Sequence, residues 1–293
     1  MTVRRLAACL TLFLCFVASE ARAYETWPAE VSTLRLTADA YTSFASSQYQ
    51  HTGDTLQLLD EHTPGSLQAV GLALDVEYGL FPDVALFAQT AVQNVRLEAE
   101  TTSAAVAGMS DLMLGSKWAV LDDAFSLTLA PAVKFPTGYS ADPGPFVPSL
   151  GNGVNEYEAR VWAGKRFTDV PFYLELGLGY RIRGTRVPRG GGPKLIYADE
   201  IPYDIELAFD PVAKVRAYGL LDGVYGLGKP AVVERVTLQP LTEDFIRIGA
   251  GVGYGVAEAL RVLATYRVTV AGVNAIKSQM LTLGVIVDVG GSS

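Results

Sequence analysis

Strict alternation of apolar and polar side chains is the feature that most constrains this chain. In FYLELGLGYRIRG, residues 172–184, one parity carries large apolar side chains, and the other carries Glu175, Arg181 and Arg183. Successive side chains of a β-strand point to opposite faces, so this segment predicts a strand with one apolar and one charged face. In a water-soluble sandwich the charged face would lie outside, whereas in a membrane barrel the apolar face lies outside.

Alternating segments of this kind recur along the whole chain. Most are longer than the strands of soluble domains, whose usual length is about 5–6 residues, and they suit tilted strands that cross a bilayer. The twelve segments span residues 32–44, 66–79, 84–98, 110–120, 125–135, 155–167, 172–184, 203–210, 213–224, 244–255, 259–270 and 279–289.

The connections between these segments alternate in length. Short connections lie at 80–83, 121–124, 168–171, 211–212 and 256–259, and long ones at 45–65, 99–109, 136–154, 185–202, 225–243 and 271–278. Bacterial outer-membrane barrels have short periplasmic turns on one rim and long extracellular loops on the other. We therefore predict an all-β fold, a single-chain antiparallel transmembrane β-barrel of about 12 strands over residues 32–289. It would lie in the outer membrane of a Gram-negative bacterium, in contact with the lipid.

The apolar parity of the segments is almost free of charge. Its exceptions, Arg96, Glu98 and Lys165, lie at segment ends, where a charge costs less than the ~2–4 kcal/mol expected at the bilayer midplane. Aromatic side chains of this parity form two bands, which predict girdles at the two membrane interfaces. The band beside the short connections contains Tyr78, Trp118, Phe125, Phe167, Phe172, Phe209 and Tyr254, and the other contains Phe44, Phe135, Tyr157, Tyr180 and Tyr203.

Residues 1–23 carry the pattern of a cleaved secretory signal peptide. Two arginines precede an apolar run over residues 6–18, and an Ala-Arg-Ala cleavage site ends at Ala23. Both cysteines fall within this segment, so the mature chain would hold no disulfide and no thiol-based metal site. We further predict a periplasmic leader over 24–31, able to reach the lumen but too short to fill it, and a C-terminal tail over 290–293.

The polar parity of the segments predicts the lining of an aqueous lumen. Its candidate members are Arg35, Asp75, Glu77, Asp111, Lys117, Lys134, Glu156, Glu158, Arg160, Glu175, Arg181, Arg183, Glu206, Arg216, Arg247 and Arg267. Acidic and basic groups on this parity nearly balance. Two arrangements remain open: the charges pair across neighbouring strands, or they form segregated rings that set ion preference.

The loop PTGYSADPGPFVPSLGNG, residues 136–153, is the most distinctive connection. Its four prolines stiffen the backbone and its glycines allow tight turns. We predict that it folds inward as a constriction, with Tyr139, Asp142 and Phe146 as candidate residues, and a plain surface loop is the alternative.

Several classes of function lack support in the sequence. A net charge of −8 disfavours nucleic acid as a partner. We predict no catalytic residue, no cofactor and no metal site, because the histidines, His51 and His62, both fall in the first long loop. A lipid hydrolase remains an alternative in which one of these histidines would act with a nearby serine. The candidate serines are Ser43, Ser46, Ser47 and Ser66.

Three stretches resemble an outer-membrane family of transporters known as the meta-pathway phenol-degradation family. They are VEYGLFPDVALFAQ (76–89), GMSDLMLGSKW (108–118) and VKFPTG (133–138), and they cover the second to fifth predicted strands. The resemblance implies an outer-membrane channel for small hydrophobic or aromatic compounds. It also suggests that Asp111, Lys117 and Lys134 form an ion cluster common to the family. The chain departs from many bacterial barrels by ending in DVGGSS, without the terminal aromatic residue that assists assembly.

These observations predict an outer-membrane channel for passive uptake or export of small molecules. Its partners would be membrane lipid, the barrel-assembly machinery and a small solute whose identity the sequence leaves open. The main alternative is a non-conducting structural or surface-interaction barrel, whose signature would be dense bridging between arginine and glutamate across the interior.

Overall fold

The computed structural model describes residues 27–58, 65–98, 103–123, 125–140, 147–167, 170–187, 194–212, 214–228 and 241–290. The predicted signal peptide, His62, Asp142 and Phe146 lie outside these residues, as do positions 24–26 of the leader and 291–293 of the tail. The part described contains no helix that is long and apolar enough to cross a membrane.

Sixteen β-strands make up the regular structure of these ranges. They are β1 (Thr33–Tyr49), β2 (Thr55–Gln57), β3 (Ser66–Phe81), β4 (Val84–Glu98), β5 (Ser103–Met109), β6 (Leu112–Asp122), β7 (Ser126–Phe135), β8 (Glu156–Arg166), β9 (Phe172–Arg183), β10 (Thr185–Arg186), β11 (Leu195–Ile196), β12 (Glu200–Val212), β13 (Val215–Gly226), β14 (Asp244–Ala257), β15 (Leu260–Val273) and β16 (Ile276–Gly290).

Twelve of these strands close into one antiparallel barrel. The order β1-β3-β4-β6-β7-β8-β9-β12-β13-β14-β15-β16 follows the chain, and β16 returns to pair with β1. Closure occurs at Thr33 with Gly290 at one rim and at Ser47 with Lys277 at the other, with a register shift between them. The predicted fold class, a 12-stranded antiparallel barrel, is confirmed.

The faces of the strands follow the side-chain parity. Along β9 the apolar side chains point outward, with Leu178 60% exposed, while Glu175 on the opposite parity is only 1% exposed. In water this arrangement would leave an extended apolar surface uncovered, whereas lipid tails cover it. The exposed surface is therefore membrane-facing and the charged parity faces the interior.

The aromatic side chains at the ends of the strands mostly lie on the outer surface. Trp118 and Tyr254 are exposed near the short connections, and Tyr157 and Tyr180 are exposed near the long ones. Tyr203 differs, because it is only partly exposed and its hydroxyl donates a hydrogen bond to the carbonyl of Phe245 at 3.2 Å.

The rims of the barrel differ from the predicted segment ends. β15 and β16 continue until only Asn274 and Ala275 separate them, so the connection predicted at 271–278 is a tight turn. Asn274 has a φ of 53°, a left-handed conformation that asparagine tolerates in such turns. The segment predicted at 110–120 corresponds to β6, but the connection predicted at 99–109 contains a further strand, β5. Both strands pair with β4, and Ser110 and Asp111 lie between them.

Candidate functional site: the barrel interior

The sixteen candidate lining residues are all buried or partly buried within the barrel. Their charged groups meet mainly across neighbouring strands. On β8 and β9, Glu158 lies opposite Arg181, and on β9 and β12, Arg181 lies opposite Glu200. Register therefore places one arginine between two carboxylates.

Arg181 is the centre of an ion network near the extracellular rim. Its guanidinium lies 2.5 Å from a carboxylate oxygen of Glu158, 2.8 Å from Glu200 and 3.8 Å from Glu156. The same carboxylates bind other cations, because Glu200 also pairs with Arg183.

The network continues onto β7 and toward the break between β5 and β6. The Lys134 ammonium lies 2.5 Å from Glu156 and 3.5 Å from Asp111. On the other side, Arg160 pairs with Glu158 and lies 3.3 Å from Asp204. The resemblance suggested one cluster of Asp111, Lys117 and Lys134, but Lys117 pairs instead with Glu77, at 2.8 Å.

Ion pairs also cross the remaining part of the wall. The candidate residues Arg35, Arg216 and Arg247 bind Asp288, Asp210 and Asp222, the first two at 2.8 Å. The remaining candidates, Asp75, Glu175, Glu206 and Arg267, also lie inside: Asp75 accepts a hydrogen bond from Gln89, and Glu175 accepts one from Tyr173. Among the residues described, charges of both signs are thus intermixed around the wall and are not segregated into rings.

A cavity of about 370 Å³ occupies the part of the interior enclosed by β1 to β9. We call it the chamber. Its wall combines apolar side chains, Phe87, Met113 and Trp162, with the amides of Gln89 and Gln93. A volume of this size falls within the range of small-molecule pockets.

Local packing forms the apolar wall of the chamber. Phe87, Ala132 and Trp162 pack together, with Met113 against them. A Cβ at Gly115 would overlap the Phe87 ring, so only glycine at this position leaves room for the ring. Phe87 shares its parity with Gln89 and Gln93, so the alternation could have identified it as an inward-facing residue.

The loop after β7 covers the chamber at the extracellular end. Leu150 is buried against it, and its carbonyl accepts a hydrogen bond from the Gln93 amide at 3.3 Å. The Tyr139 hydroxyl donates to Asp111 and accepts from the backbone N–H of Gly153. Burial and the Asp111 hydrogen bond raise the pKa of Tyr139, which keeps its hydroxyl protonated and able to donate.

Residues 27–32 cross the periplasmic end of the interior, and we call them the strap. The Trp27 ring lies 5.2 Å from the Tyr173 ring, and its Nε1 donates to Asp122 at 3.0 Å. A Cβ at Gly79 would lie 1.9 Å from the Glu30 carbonyl oxygen, so only glycine allows the strap to lie this close to β3. Residues 27–32 therefore reach into the lumen.

The part of the interior beside β12 to β16 is packed. Tyr173, Tyr218, Leu263 and Ile286 form a buried cluster, against which Trp27 also packs. The chamber thus lies on the side of the barrel away from this cluster.

The histidine predicted as an alternative catalytic group lies away from the interior. His51 occupies an exposed turn after β1, and within the described ranges no hydrogen bond joins it to a serine. No group of three or more histidine, cysteine, aspartate or glutamate side chains suited to a metal ion occurs in the part of the chain that the structure describes.

Glu243, just before β14, gives the extracellular mouth a pH-dependent group. Burial, reinforced by Glu200, raises the pKa of its carboxyl from 4.5 to about 7, although Arg183, Arg181 and Arg247 oppose the shift. The folded state thus keeps this proton to a higher pH than the unfolded chain. Its contribution to stability is complete below about pH 4.5 and is lost as the pH rises through 7.

We expect Glu243→Gln to remove this pH dependence. Because the Glu243 side chain as a whole is partly exposed, we expect the parent to lose about 1–2 kcal/mol more than the variant between pH 5 and 8. Urea unfolding of the barrel refolded in vesicles measures the difference. Glu98→Gln, at an exposed strand end, should behave like the parent, and equal pH dependence in all three proteins would contradict the assignment.

The barrel is similar in fold to solved structures of outer-membrane proteins. The COG4313 outer membrane channel from Pseudomonas putida F1 matches with a TM-score of 0.69 and 13% sequence identity over 93% of this chain and 100% of that chain. The translocator domain of the autotransporter NalP from Neisseria meningitidis matches with a TM-score of 0.51 and 12% identity over 97% of this chain and 93% of that chain. Similarity at such identities shows the fold alone.

No protein-family model matches the sequence. No curated protein matches it either. The shared fold and the exposed apolar surface together place the chain in the outer membrane of a Gram-negative bacterium, in contact with lipid, as predicted.

Proposed function

We propose that this protein is an outer-membrane channel through which small molecules pass by diffusion, with the chamber as their route. The observation that carries the proposal is a cavity of about 370 Å³ inside the barrel, with Leu150 of the loop after β7 in its wall at the extracellular end. Side chains fill most of the interior of smaller eight-stranded barrels, whereas twelve strands leave room for both a packed side and an open one.

The lining of the chamber favours small solutes that carry an aromatic or apolar ring. Phe87, Trp162 and Met113 offer apolar contact, while Gln89 and the paired charges offer polar groups nearby. The COG4313 structure is that of an outer-membrane channel, and the resemblance to the meta-pathway family implies hydrophobic or aromatic solutes. We propose membership of that family on the three sequence stretches that carry the resemblance.

A second candidate function, a non-conducting barrel, is favoured by the dense ion pairing of the interior. Arg181 and Arg183 pair with carboxylates on neighbouring strands, and Arg160 on β8 reaches Asp204 on β12, two strands away. A closed structural barrel would show this dense pairing. The chamber supports the channel hypothesis, because a purely structural interior needs no cavity of this size. In either case we propose that the barrel-assembly machinery inserts the chain and that residues 1–23 are removed.

Single-channel recording tests the proposal directly. We expect the chain from residue 24 onward, refolded into a planar lipid bilayer, to give discrete current steps. Deleting residues 140–150 should raise the conductance severalfold, because it removes Leu150 from the extracellular end of the chamber. A folded barrel that stays electrically silent, with and without this deletion, would favour the structural hypothesis.

Two Tyr→Phe substitutions, one in the covering loop and one on the outer surface, separate the role of the loop from a general loss of barrel stability. Tyr139→Phe removes the hydroxyl that ties the covering loop to Asp111 and Gly153, so the open state should become more frequent. Tyr266→Phe removes a hydroxyl that donates to Gln279 at 2.9 Å on the exposed outer surface, so its conductance should match the parent.

A further inference from the structure

The strap is tied to the chamber through one carboxylate. One oxygen of Glu77 accepts a hydrogen bond from the backbone N–H of Ala29, and the other lies 2.8 Å from the Lys117 ammonium. Glu77 and Lys117 are both buried, so neither partner is readily replaced by water. Lys117 therefore holds the carboxylate that binds the strap.

Lys117 also faces the solute space. It lines the chamber, and its ammonium lies 5.9 Å from the centre of the Trp162 ring. Phe87 and Ala132 pack beside the same ring. An aromatic ring that enters here would meet an apolar wall with an ammonium group at its edge.

We propose that Glu77 and Lys117 form a solute-operated latch, which an aromatic carboxylate opens by binding Lys117 from the chamber. The incoming carboxylate competes with Glu77 for the ammonium. Glu77 then keeps its buried negative charge while its partner, the Lys117 ammonium, binds the solute instead. A buried charge that has lost its ion-pair partner is strongly disfavoured. Movement of the Glu77 side chain toward the water of the periplasmic mouth relieves that state and breaks the hydrogen bond to Ala29.

The strap is anchored to β3 at its C-terminal end, where the Ser32 N–H donates to the Gly79 carbonyl at 2.8 Å, so the part that moves is its N-terminal end. Trp27 is held by one hydrogen bond to Asp122, by ring contact with Tyr173 and by the Arg166 guanidinium 5.7 Å from its ring centre. The latch therefore links occupancy of the chamber to opening of the periplasmic end. This inference rests on the chamber being the solute route of the proposed channel.

A single engineered thiol reports the position of the strap. The chain from residue 24 onward contains no cysteine, and Ala29 is only 1% exposed, so Ala29→Cys creates one hidden thiol. We expect a maleimide reagent to label it slowly in the refolded barrel. Millimolar benzoate should raise the labelling rate about tenfold, as loss of a hydrogen bond to a charged group predicts, whereas benzyl alcohol should have no effect.

Substitutions at the latch separate it from general loosening. In the Ala29→Cys background, Lys117→Met should label rapidly without benzoate and should not respond to it. Lys165→Met removes an exposed lysine at the end of β8, outside the chamber, so it should stay slow and respond like the parent. Slower migration on unheated gels checks that each barrel is folded, and Glu77→Gln provides a second variant of the latch, expected to behave like Lys117→Met.

Slow labelling of both latch variants, or equal acceleration by benzoate and benzyl alcohol, would overturn the latch. Conductance recorded on the same proteins distinguishes this failure from failure of the proposed function. A conducting barrel whose labelling ignores benzoate would refute the latch alone. A silent barrel whose labelling still follows benzoate would refute passive conduction and leave the latch supported.

Discussion

Leu178→Arg is expected to prevent stable insertion of the barrel into a bilayer. Leu178 is 60% exposed near the middle of β9, where the outer surface faces lipid tails. An arginine near the bilayer midplane of a transmembrane barrel costs about 2–4 kcal/mol, so the equilibrium constant for folding should fall by roughly 30- to 1,000-fold. Urea titration of the barrel in phospholipid vesicles, followed by unheated gel migration, measures the loss.

The cost of an arginine on the outer surface depends on its depth in the bilayer, which makes this prediction specific to a membrane protein. Ile182 lies on the same face of the same strand, is 50% exposed and sits one residue from the extracellular end of β9. Ile182→Arg should therefore cost only about 0–1 kcal/mol, because a charge near the interface stays close to water. Equal effects at the two positions would argue that β9 does not cross lipid in the way its exposed surface indicates.

The two faces of the wall were predictable because they depend on a local property. Side chains of a strand alternate strictly, and lipid on one face excludes charge, so parity alone separates Leu178 from Glu175. The same argument applies to Phe87, whose inward position follows from its parity with Gln89. Strand count followed from the recurrence of this pattern.

Strand ends were predicted less well, because they depend on pairing beyond the alternating pattern. β15 and β16 extend past the predicted segments and meet at Asn274, since their backbones continue to pair where the side chains no longer alternate. The gap at Ser110 and Asp111 has a similar origin, in that β5 and β6 share β4 as their neighbour.

The contacts of the interior were only partly accessible to sequence reasoning. A short turn sets the register of β8 and β9, so the meeting of Glu158 and Arg181 could have been derived from hairpin geometry. Glu200 joins Arg181 across a long loop, whose length leaves the register undetermined. Trp27 escaped prediction because its place depends on the leader turning back into the barrel, and no periodic pattern encodes that turn.

Arg181→Met is expected to be the most destabilising single substitution in the charged interior. Arg181 is mostly buried and serves Glu156, Glu158 and Glu200 together. Removing one partner of a buried ion pair typically costs about 3–5 kcal/mol because a charge stays behind without compensation. We expect the lower end of that range, since Lys134, Arg160 and Arg183 still bind these carboxylates.

Arg96→Met is the matched control for this substitution. Arg96 also pairs with a glutamate, Glu98, at 2.7 Å, but the two side chains are 55% and 40% exposed at the end of β4. Solvent screens such a pair, so its loss should cost about 0–1 kcal/mol. Comparable shifts of the urea midpoint for Arg96→Met and Arg181→Met would contradict the view that Arg181 is held in a desolvated network. A large loss confined to Arg181→Met would mean that the ion network sustains the wall around the chamber.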